Sequence, residues 1–137
     1  PEIAPTHVAN LKYLADIGFF RGKRIDGVQP NQLVQLGQPT QEELPRFQYT
    51  LPPEFSDRIH LAGSLGMARS PQPRVRALRH SLPTQVHILL VDNPRMDGTF
   101  TLFGKVIRGM PILKRLRAGT LIRDLVVYVE DEQFRQF

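Results

Sequence analysis

Four histidines are the side chains in this sequence best suited to metal or acid–base chemistry. A helical pair of metal ligands needs two histidines three or four positions apart, and an H-E-x-x-H motif adds a general base. No two histidines have that spacing, and no paired-acid pattern accompanies them. The sequence therefore predicts no metal site and indicates no cofactor. The four residues are His7, His60, His80 and His87.

Nucleophilic chemistry also lacks its sequence signatures. The chain has no cysteine, which excludes thiol nucleophiles, thiolate zinc sites and disulfides. The serines Ser64, Ser70 and Ser81 do not lie in the G-x-S-x-G setting of a hydrolase. The glycines around Ser64 are not followed by the Lys-Ser/Thr pair of a phosphate loop. Neither a hydrolase nor a nucleotide-binding domain is indicated.

A group of arginines forms the densest basic stretch of the chain: Arg69, Arg74, Arg76 and Arg79. No Phe, Tyr or Trp is interleaved with them, so the stacking platform of single-stranded nucleic-acid binding is missing. A solvated basic loop accounts for the pattern. Docking to an acidic protein surface or to nucleic acid is the alternative, and we do not expect nucleic acid to be the main partner.

Length and composition bound the class of protein. The 137 residues carry a formal net charge of +5, and 41% of them are hydrophobic, which suffices for the core of one domain. No apolar run approaches the roughly 18 residues that cross a bilayer, so we expect no membrane span. We interpret residues 1–137 as a single domain.

Two helices are predicted among the elements that must position a site. Apolar residues recur at three-residue steps over residues 8–17, Thr6 is a favourable N-cap, and Gly18 ends the helix. A shorter helix is predicted over residues 110–116, with Pro111 in its first turn.

The rest of the chain has the pattern of strands separated by turns. Asp97-Gly98, between two apolar runs, is the strongest hairpin signal. Because strands and helices do not alternate, the pattern favours a barrel or sandwich with helical lids over a parallel sheet. Strands are predicted over residues 33–36, 65–68, 86–91, 100–107 and 121–130.

Three segments, in order along the chain, resemble the cyclophilin-type peptidyl-prolyl isomerases. Residues 5–22 are similar to that family's A-P-x-x-x-x-N-F helix followed by G-F-Y-D-G. Residues 63–69 look like its G-x-L-x-M-A strand, and residues 96–110 are close to its L-D-G-x-x-x-x-F-G-x-V-x-x-G-M. Residues 49–55 look most like bacterial and chloroplast-lumen members. We therefore expect a bacterial periplasm, cell envelope or equivalent lumen, with the cytoplasm as the alternative.

The resemblance implies a mainly-β fold, the family's closed antiparallel β-barrel capped by two α-helices. In the family a β-hairpin precedes the segment that the first residues here match, so we expect this chain to lack that hairpin. A barrel without it keeps unpaired strand edges. Either the chain is a piece of a longer polypeptide, or an assembly partner supplies strands to the open edge by β-augmentation.

The resemblance also implies isomerisation of X-Pro bonds. The rotation needs no nucleophile or metal, because its barrier of about 18–20 kcal/mol comes from amide resonance. A catalyst must bind the twisted amide best. The family is implied to use an Arg that donates to the prolyl nitrogen, a Gln that holds the backbone, and an apolar pocket for the ring. In a gapless alignment over residues 19–38, Gln35 matches the Gln, whereas Gly27 stands at the Arg position.

The remaining groove positions are retained only in part. Gln32 stands where the family has a pocket aromatic residue, His87 where it has a Phe, Arg95 where it has a Trp and Phe100 where it has a His. Arg24 is an odd number of strand positions from the family's Arg position, so its side chain is predicted to point to the opposite face. The resemblance implies these peptide-binding residues: Gln32, Leu33, Gln35, Met67, Ala68, Gln85, His87, Arg95, Met96 and Phe100.

We therefore expect a domain that binds proline-containing protein segments, with catalysis weak or lost because of Gly27. The apolar groove residues Leu33, Met67 and Met96 are of types that more often pack in a core or barrel mouth than contact a ligand. Gln35 and Gln85 are more informative, because a Gln within an apolar strand needs a partner, either a bound peptide backbone or a neighbouring loop. The alternative function is a non-catalytic structural subunit that uses the barrel as a scaffold in a larger assembly.

Overall fold

A computed structural model of the chain describes residues 3–70 and 79–127. Its first element is helix α1, Pro5–Asp16, which buries His7, Leu14 and Ala15. Gly18 follows the helix with a φ of +73°, in the left-handed region that favours glycine. The first predicted helix is therefore confirmed, together with the glycine that ends it.

The start of α1 differs from the predicted cap. Ala4 is the N-cap residue, and Pro5 occupies the first turn, where its fixed φ suits a helix. Thr6 lies inside the helix, and its backbone N–H donates to Oε2 of Glu54 at 3.0 Å. The prediction of Thr6 as N-cap is wrong because a carboxylate from a distant loop, and no local hydroxyl, accepts the free amide protons.

Five antiparallel strands form one sheet in the described part of the chain. The strands are β1 Gly27–Gln29, β2 Leu33–Leu36, β3 Ser64–Arg69, β4 Ser81–Leu89 and β5 Leu102–Lys105. Their spatial order is β1-β2-β4-β3-β5, so β1 and β5 lie at the edges of the sheet. Short 3₁₀ helices at Leu44–Arg46 and Pro94–Met96 interrupt the loops.

Local alternation predicts some strands well and others poorly. Residues 33–36 form β2 as predicted, whereas β4 begins five residues earlier than predicted and β5 is shorter than residues 100–107. In the described part of the last predicted strand, Leu121 forms an isolated bridge to Arg24. Residues 128–130 of that prediction lie outside the described residues. The short strand β1 was not predicted.

Asp97-Gly98 does not form the predicted hairpin turn. β5 pairs with β3, and β3 separates it from β4, so the two apolar runs are not hydrogen-bonded neighbours. Asp97 Oδ1 instead accepts a hydrogen bond from the backbone N–H of His60 at 2.7 Å and lies 2.9 Å from its Nδ1. The hairpin prediction is wrong because a long-range contact, and not the turn propensity, determines this loop.

One face of the sheet forms the core against α1. Val34 of β2, Met67 of β3, Val86 of β4 and Leu14 of α1 belong to one buried apolar cluster. Successive strand residues point to opposite faces, so the neighbours of these core residues lie on the outer face of the sheet.

The class is mainly β with two helices, as predicted. Helix α2, Met110–Leu113, is shorter than the predicted 110–116. The sheet is open as far as residues 3–70 and 79–127 describe it, since no ladder joins the edge strands β1 and β5. The closed barrel is therefore not complete in this part of the chain. No helix among these residues is long and apolar enough to cross a membrane.

Candidate functional site

Four residues line up across the outer face of the sheet. Gly27 of β1 is paired with Gln35 of β2, Gln35 with His87 of β4, and His87 with Gly66 of β3. Residues directly opposite each other in antiparallel strands point to the same face. The sheet therefore brings together three of the positions expected from sequence, Gly27, Gln35 and His87.

Gly27 and Gln35 lie within contact distance. A β-carbon added to Gly27 would be 3.4 Å from Oε1 of Gln35. Gly27 is not among the described residues with positive φ, so its backbone does not require glycine. Because Gln35 is exposed, a longer side chain at position 27 would lie beside it at the surface.

Arg24 does not replace the missing arginine. Its Nη1 donates to the backbone oxygen of Gly119 at 2.9 Å, and its backbone forms the bridge to Leu121. The guanidinium group is therefore directed towards the segment after α2, as the odd spacing from Gly27 predicts.

A small polar pocket lies beside Gln35. It has a volume of about 60 Å³, and its walls include Asp26, Gln35, Gln38, Ala68, Gln85 and His87. Four of these were expected from sequence, namely Gln35, Ala68, Gln85 and His87. Asp26 and Gln38 were missed, because an acid just before a three-residue strand and a Gln just after another carry no local signal of a shared pocket.

His87 is buried at the centre of the row, with 5% of its surface exposed. A β-carbon added to Gly66 would be 2.5 Å from its Nε2, so the ring lies directly over that glycine. Nε2 has no hydrogen-bond partner among the described residues. Burial lowers the pKa of His87 to about 4, with a smaller contribution from His60, so the ring is neutral at pH 7.

His60 is the second buried imidazole of this region. Oδ1 of Asp97 binds both its backbone N–H and its Nδ1, and these hydrogen bonds lower the pKa of the Asp97 carboxyl. Its Nε2, like that of His87, finds no partner within the described ranges. Those ranges contain no group of three or more His, Cys, Asp or Glu side chains that could hold a metal ion.

Two of the expected groove residues, Met96 and Phe100, are packed among the protein's own side chains. Met96 is buried, and the ring of Phe100 meets that of His87 edge-on with 6.0 Å between centroids. Cζ of Arg69 lies 4.3 Å from the centroid of the Phe100 ring, a cation–π distance.

The other expected positions lie apart from this row. Met67, which is 1% exposed, faces the core because it alternates with Gly66 along β3. Gln32 and Leu33 line a separate depression of about 400 Å³ at the far end of β2. Arg95 is exposed in its 3₁₀ helix.

A second polar array links α1 to the sheet. Nε2 of His7 lies 2.9 Å from Oγ of Ser81, and its Nδ1 lies 2.6 Å from Oε1 of Glu54. Hydroxyl, imidazole and carboxylate in this order also form the triad of a hydrolase. His7 and Ser81 are 0% and 1% exposed, so the hydroxyl is closed to a substrate. These contacts therefore connect α1 to the start of β4. The partners are 47 and 74 residues apart in sequence, so no local motif indicates them.

The comparisons with known proteins point to one family. The family model "Cyclophilin type peptidyl-prolyl cis-trans isomerase/CLD" matches residues 1–132. A probable peptidyl-prolyl cis-trans isomerase of Brucella abortus (strain 2308) is 30% identical over 132 residues, which cover 88% of this chain. Peptidyl-prolyl cis-trans isomerase B of Bacillus subtilis (strain 168) is 31% identical over 129 residues, covering 93% of this chain and 85% of that protein.

Solved structures show the same fold. A cyclophilin type peptidyl-prolyl cis-trans isomerase of Cryptosporidium parvum, crystallised in the presence of the dipeptide Ala-Pro, superimposes with a TM-score of 0.73. The match covers 94% of this chain and 89% of that one at 18% identity, which shows the fold alone. The chain spans about 64% of the length of the Brucella relative. On the family match and these relatives together, the chain belongs to the cyclophilin-type peptidyl-prolyl cis-trans isomerase family.

Proposed function

We propose that this domain binds proline-containing segments of other proteins on the outer face of its sheet and isomerises their X-Pro bonds weakly or not at all. Family membership supports the binding of prolyl segments. Gln35 and Gln85, which share the walls of the small pocket, are the side chains that would hold the backbone of the segment. Each offers an amide donor and a carbonyl acceptor to it.

The observation that carries the proposal is Gly27 facing Gln35. The family's Arg, which the resemblance implies to donate to the prolyl nitrogen, would project from this position next to Gln35. Gly27 has only a hydrogen atom there, and the described residues that line the pocket include neither Arg nor Lys. The remaining glutamine amides bind the planar and the twisted amide alike, and such uniform binding does not accelerate the rotation.

Exchange NMR on an Ala-Pro peptide tests both parts of the proposal. We expect shifts in the side-chain amide signals of Gln35 and Gln85 on titration, and an interconversion time that stays near the tens to hundreds of seconds of the free peptide. Turnover like that of an active cyclophilin-type isomerase assayed alongside would refute the weak catalysis. Unchanged Gln35 and Gln85 signals at millimolar peptide would refute the binding.

A second candidate, a structural subunit in a larger assembly, is favoured by one feature. An apolar groove of about 610 Å³ runs along the edge strand β5, with Ile59, Leu61, Leu102 and Val106 in its walls. Ile59 and Leu61 are 56% and 48% exposed. In this candidate an extended strand of an assembly partner adds to β5 and covers the groove. A purified chain that is monomeric, stable and without a partner in a pull-down would count against it.

A further inference from the structure

We infer that the small pocket beside Gln35 binds a cationic side chain, best a lysine ammonium group, carried by the bound proline-containing segment. The inference rests on the proposed function and goes beyond it, because it gives the segment a second requirement besides its proline. It is carried by the chemistry of the walls, the charges around them, and the size of the pocket.

The walls offer acceptors for an ammonium group. Oδ2 of Asp26 accepts the backbone N–H of Gln38 at 2.8 Å, which orients the carboxylate. Its Oδ1 takes part in no hydrogen bond among the described residues, and the side chain is exposed. Gln35, Gln38 and Gln85 line the same space, and each side-chain amide carries a carbonyl acceptor. A lysine ammonium group has three donors and no acceptor, so it matches such a set.

Among the described residues, no cation forms an ion pair with the Asp26 carboxylate. The nearest cations in sequence are both engaged: Nζ of Lys23 binds the Glu43 carboxylate, and Arg24 donates to a backbone oxygen elsewhere. His87, on the inner wall, is neutral at pH 7. Gly27 adds no charge. The pocket is therefore a negative site on a chain whose net charge is +5.

The size of the pocket selects a small head group. Its volume of about 60 Å³ is small beside the about 400 Å³ of the depression at Gln32 and Leu33. The tip of a lysine side chain is a small head group of this kind. A lysine ammonium group is also a compact point charge on a flexible stem, unlike the broader planar guanidinium group of arginine.

The test is a titration series at low ionic strength with one set of three matched peptides for each position within three residues of an Ala-Pro unit. Within a set, that one position carries lysine, the uncharged norleucine or glutamate, and the rest of the peptide is the same. We expect one position at which lysine lowers the Kd about two- to fivefold relative to norleucine, the range of a partly exposed charge pair. Glutamate there should raise the Kd, and 0.5 M NaCl should remove the preference.

Two variants assign the effect to the pocket. Asp26→Asn keeps the acceptor for the Gln38 amide and should make the Kd values of the lysine and norleucine peptides equal. Asp92→Asn is the matched control, because Asp92 is an exposed carboxylate that also accepts a backbone N–H, that of Ala62. Asp92→Asn should retain the full preference for the lysine peptide over the norleucine peptide.

The outcomes separate this inference from the proposed function. Equal Kd values for lysine and norleucine at every position, with clear binding, overturn the inference and leave the proposed function standing. A lysine preference that survives Asp26→Asn also overturns it. No binding of any peptide overturns the proposed function and the inference with it.

Discussion

Gly27 faces Gln35 across the first two strands, so closely that a β-carbon on Gly27 would come within 3.4 Å of Oε1 of Gln35. The backbone at Gly27 does not require a positive φ, so a side chain is allowed there. The position that the family resemblance assigns to the arginine thus faces Gln35 and carries no side chain. A single substitution can therefore restore the arginine without rebuilding the sheet.

Gly27→Arg is expected to raise kcat/KM for an Ala-Pro peptide about tenfold or more, equivalent to about 1.4 kcal/mol of transition-state stabilisation. The reason is that the new guanidinium group would donate to the prolyl nitrogen only when the amide twists. Gln29→Arg is the control, since Gln29 lies two residues further along the same face of β1 and is exposed. Exchange NMR on the Ala-Pro peptide measures the isomerisation rate with each variant. If Gly27→Arg gained neither binding nor turnover, the groove would have lost its peptide-binding role.

Glu54→Gln is expected to destabilise the protein by about 1–2 kcal/mol. Burial acts to raise the pKa of the Glu54 carboxyl, but hydrogen bonds from His7 and from the backbone N–H groups of Thr6 and His7 outweigh it and lower the pKa overall. This contribution to stability is complete above the ordinary value near 4.5 and is lost as the pH falls through the lowered folded pKa. In Glu54→Gln, the free energy of unfolding should lose the part of its pH dependence that the Glu54 carboxylate contributes.

Urea unfolding at pH 7 and pH 4 measures the effect of Glu54→Gln. Glu42→Gln, which changes an exposed carboxylate with no hydrogen bond described, should stay within about 0.5 kcal/mol of the unchanged protein. Equal losses in the two variants would show that the contact between Glu54 and α1 contributes nothing specific.

Local sequence signals predicted the elements whose boundaries are set locally. The three-residue apolar steps before Gly18 predicted α1, and the four residues of β2 followed from their composition. The failures share a physical cause. Thr6 and Asp97-Gly98 have strong local propensities, but Glu54 caps the helix and His60 binds Asp97, and both contacts join residues far apart in sequence.

The site was predicted in the same uneven way. The resemblance located Gln35, Gln85 and His87, which the strand pairing places together or around one pocket. Asp26 and Gln38 could not be found, because only the antiparallel pairing of β1 with β2 brings the two ends of that hairpin beside each other. A sequence motif specifies residue types and their order, and it does not contain the pairing of one strand with another.

The stability of the protein is expected to fall between pH 6.5 and pH 4 because of His87. Burial lowers its folded pKa to about 4, so below the ordinary value of 6.5 the unfolded chain binds the proton more readily. The stabilisation is complete above pH 6.5 and decreases by up to about 3 kcal/mol as the pH approaches 4. His7, whose pKa burial also lowers despite the opposing effect of Glu54, adds to the same trend.

His87→Phe should reduce this pH dependence without removing it, because His7 is retained. Urea midpoints at pH 7.5 and pH 5 give the comparison. His80→Gln is the control, since His80 is only half-buried and its Nδ1 lies 2.9 Å from Oγ1 of Thr50. If the urea midpoints of His87→Phe at pH 7.5 and pH 5 differed as much as those of the unchanged protein, the buried imidazole would not be responsible for the acid sensitivity.

Gly66→Ala should cost about 1–3 kcal/mol of stability, because the new methyl group would meet Nε2 of His87 at 2.5 Å and the backbone oxygen of Thr101 at 3.2 Å. Most of the clash is with the imidazole, so the same substitution in a His87→Ala background should cost much less. A double-mutant cycle by urea unfolding then gives a coupling of about 0.5–3 kcal/mol. Gly27→Ala, in the same row but with 3.4 Å to its nearest neighbour, should be close to neutral. An equal cost of Gly66→Ala in both backgrounds would show that the backbone, and not His87, requires glycine at this position.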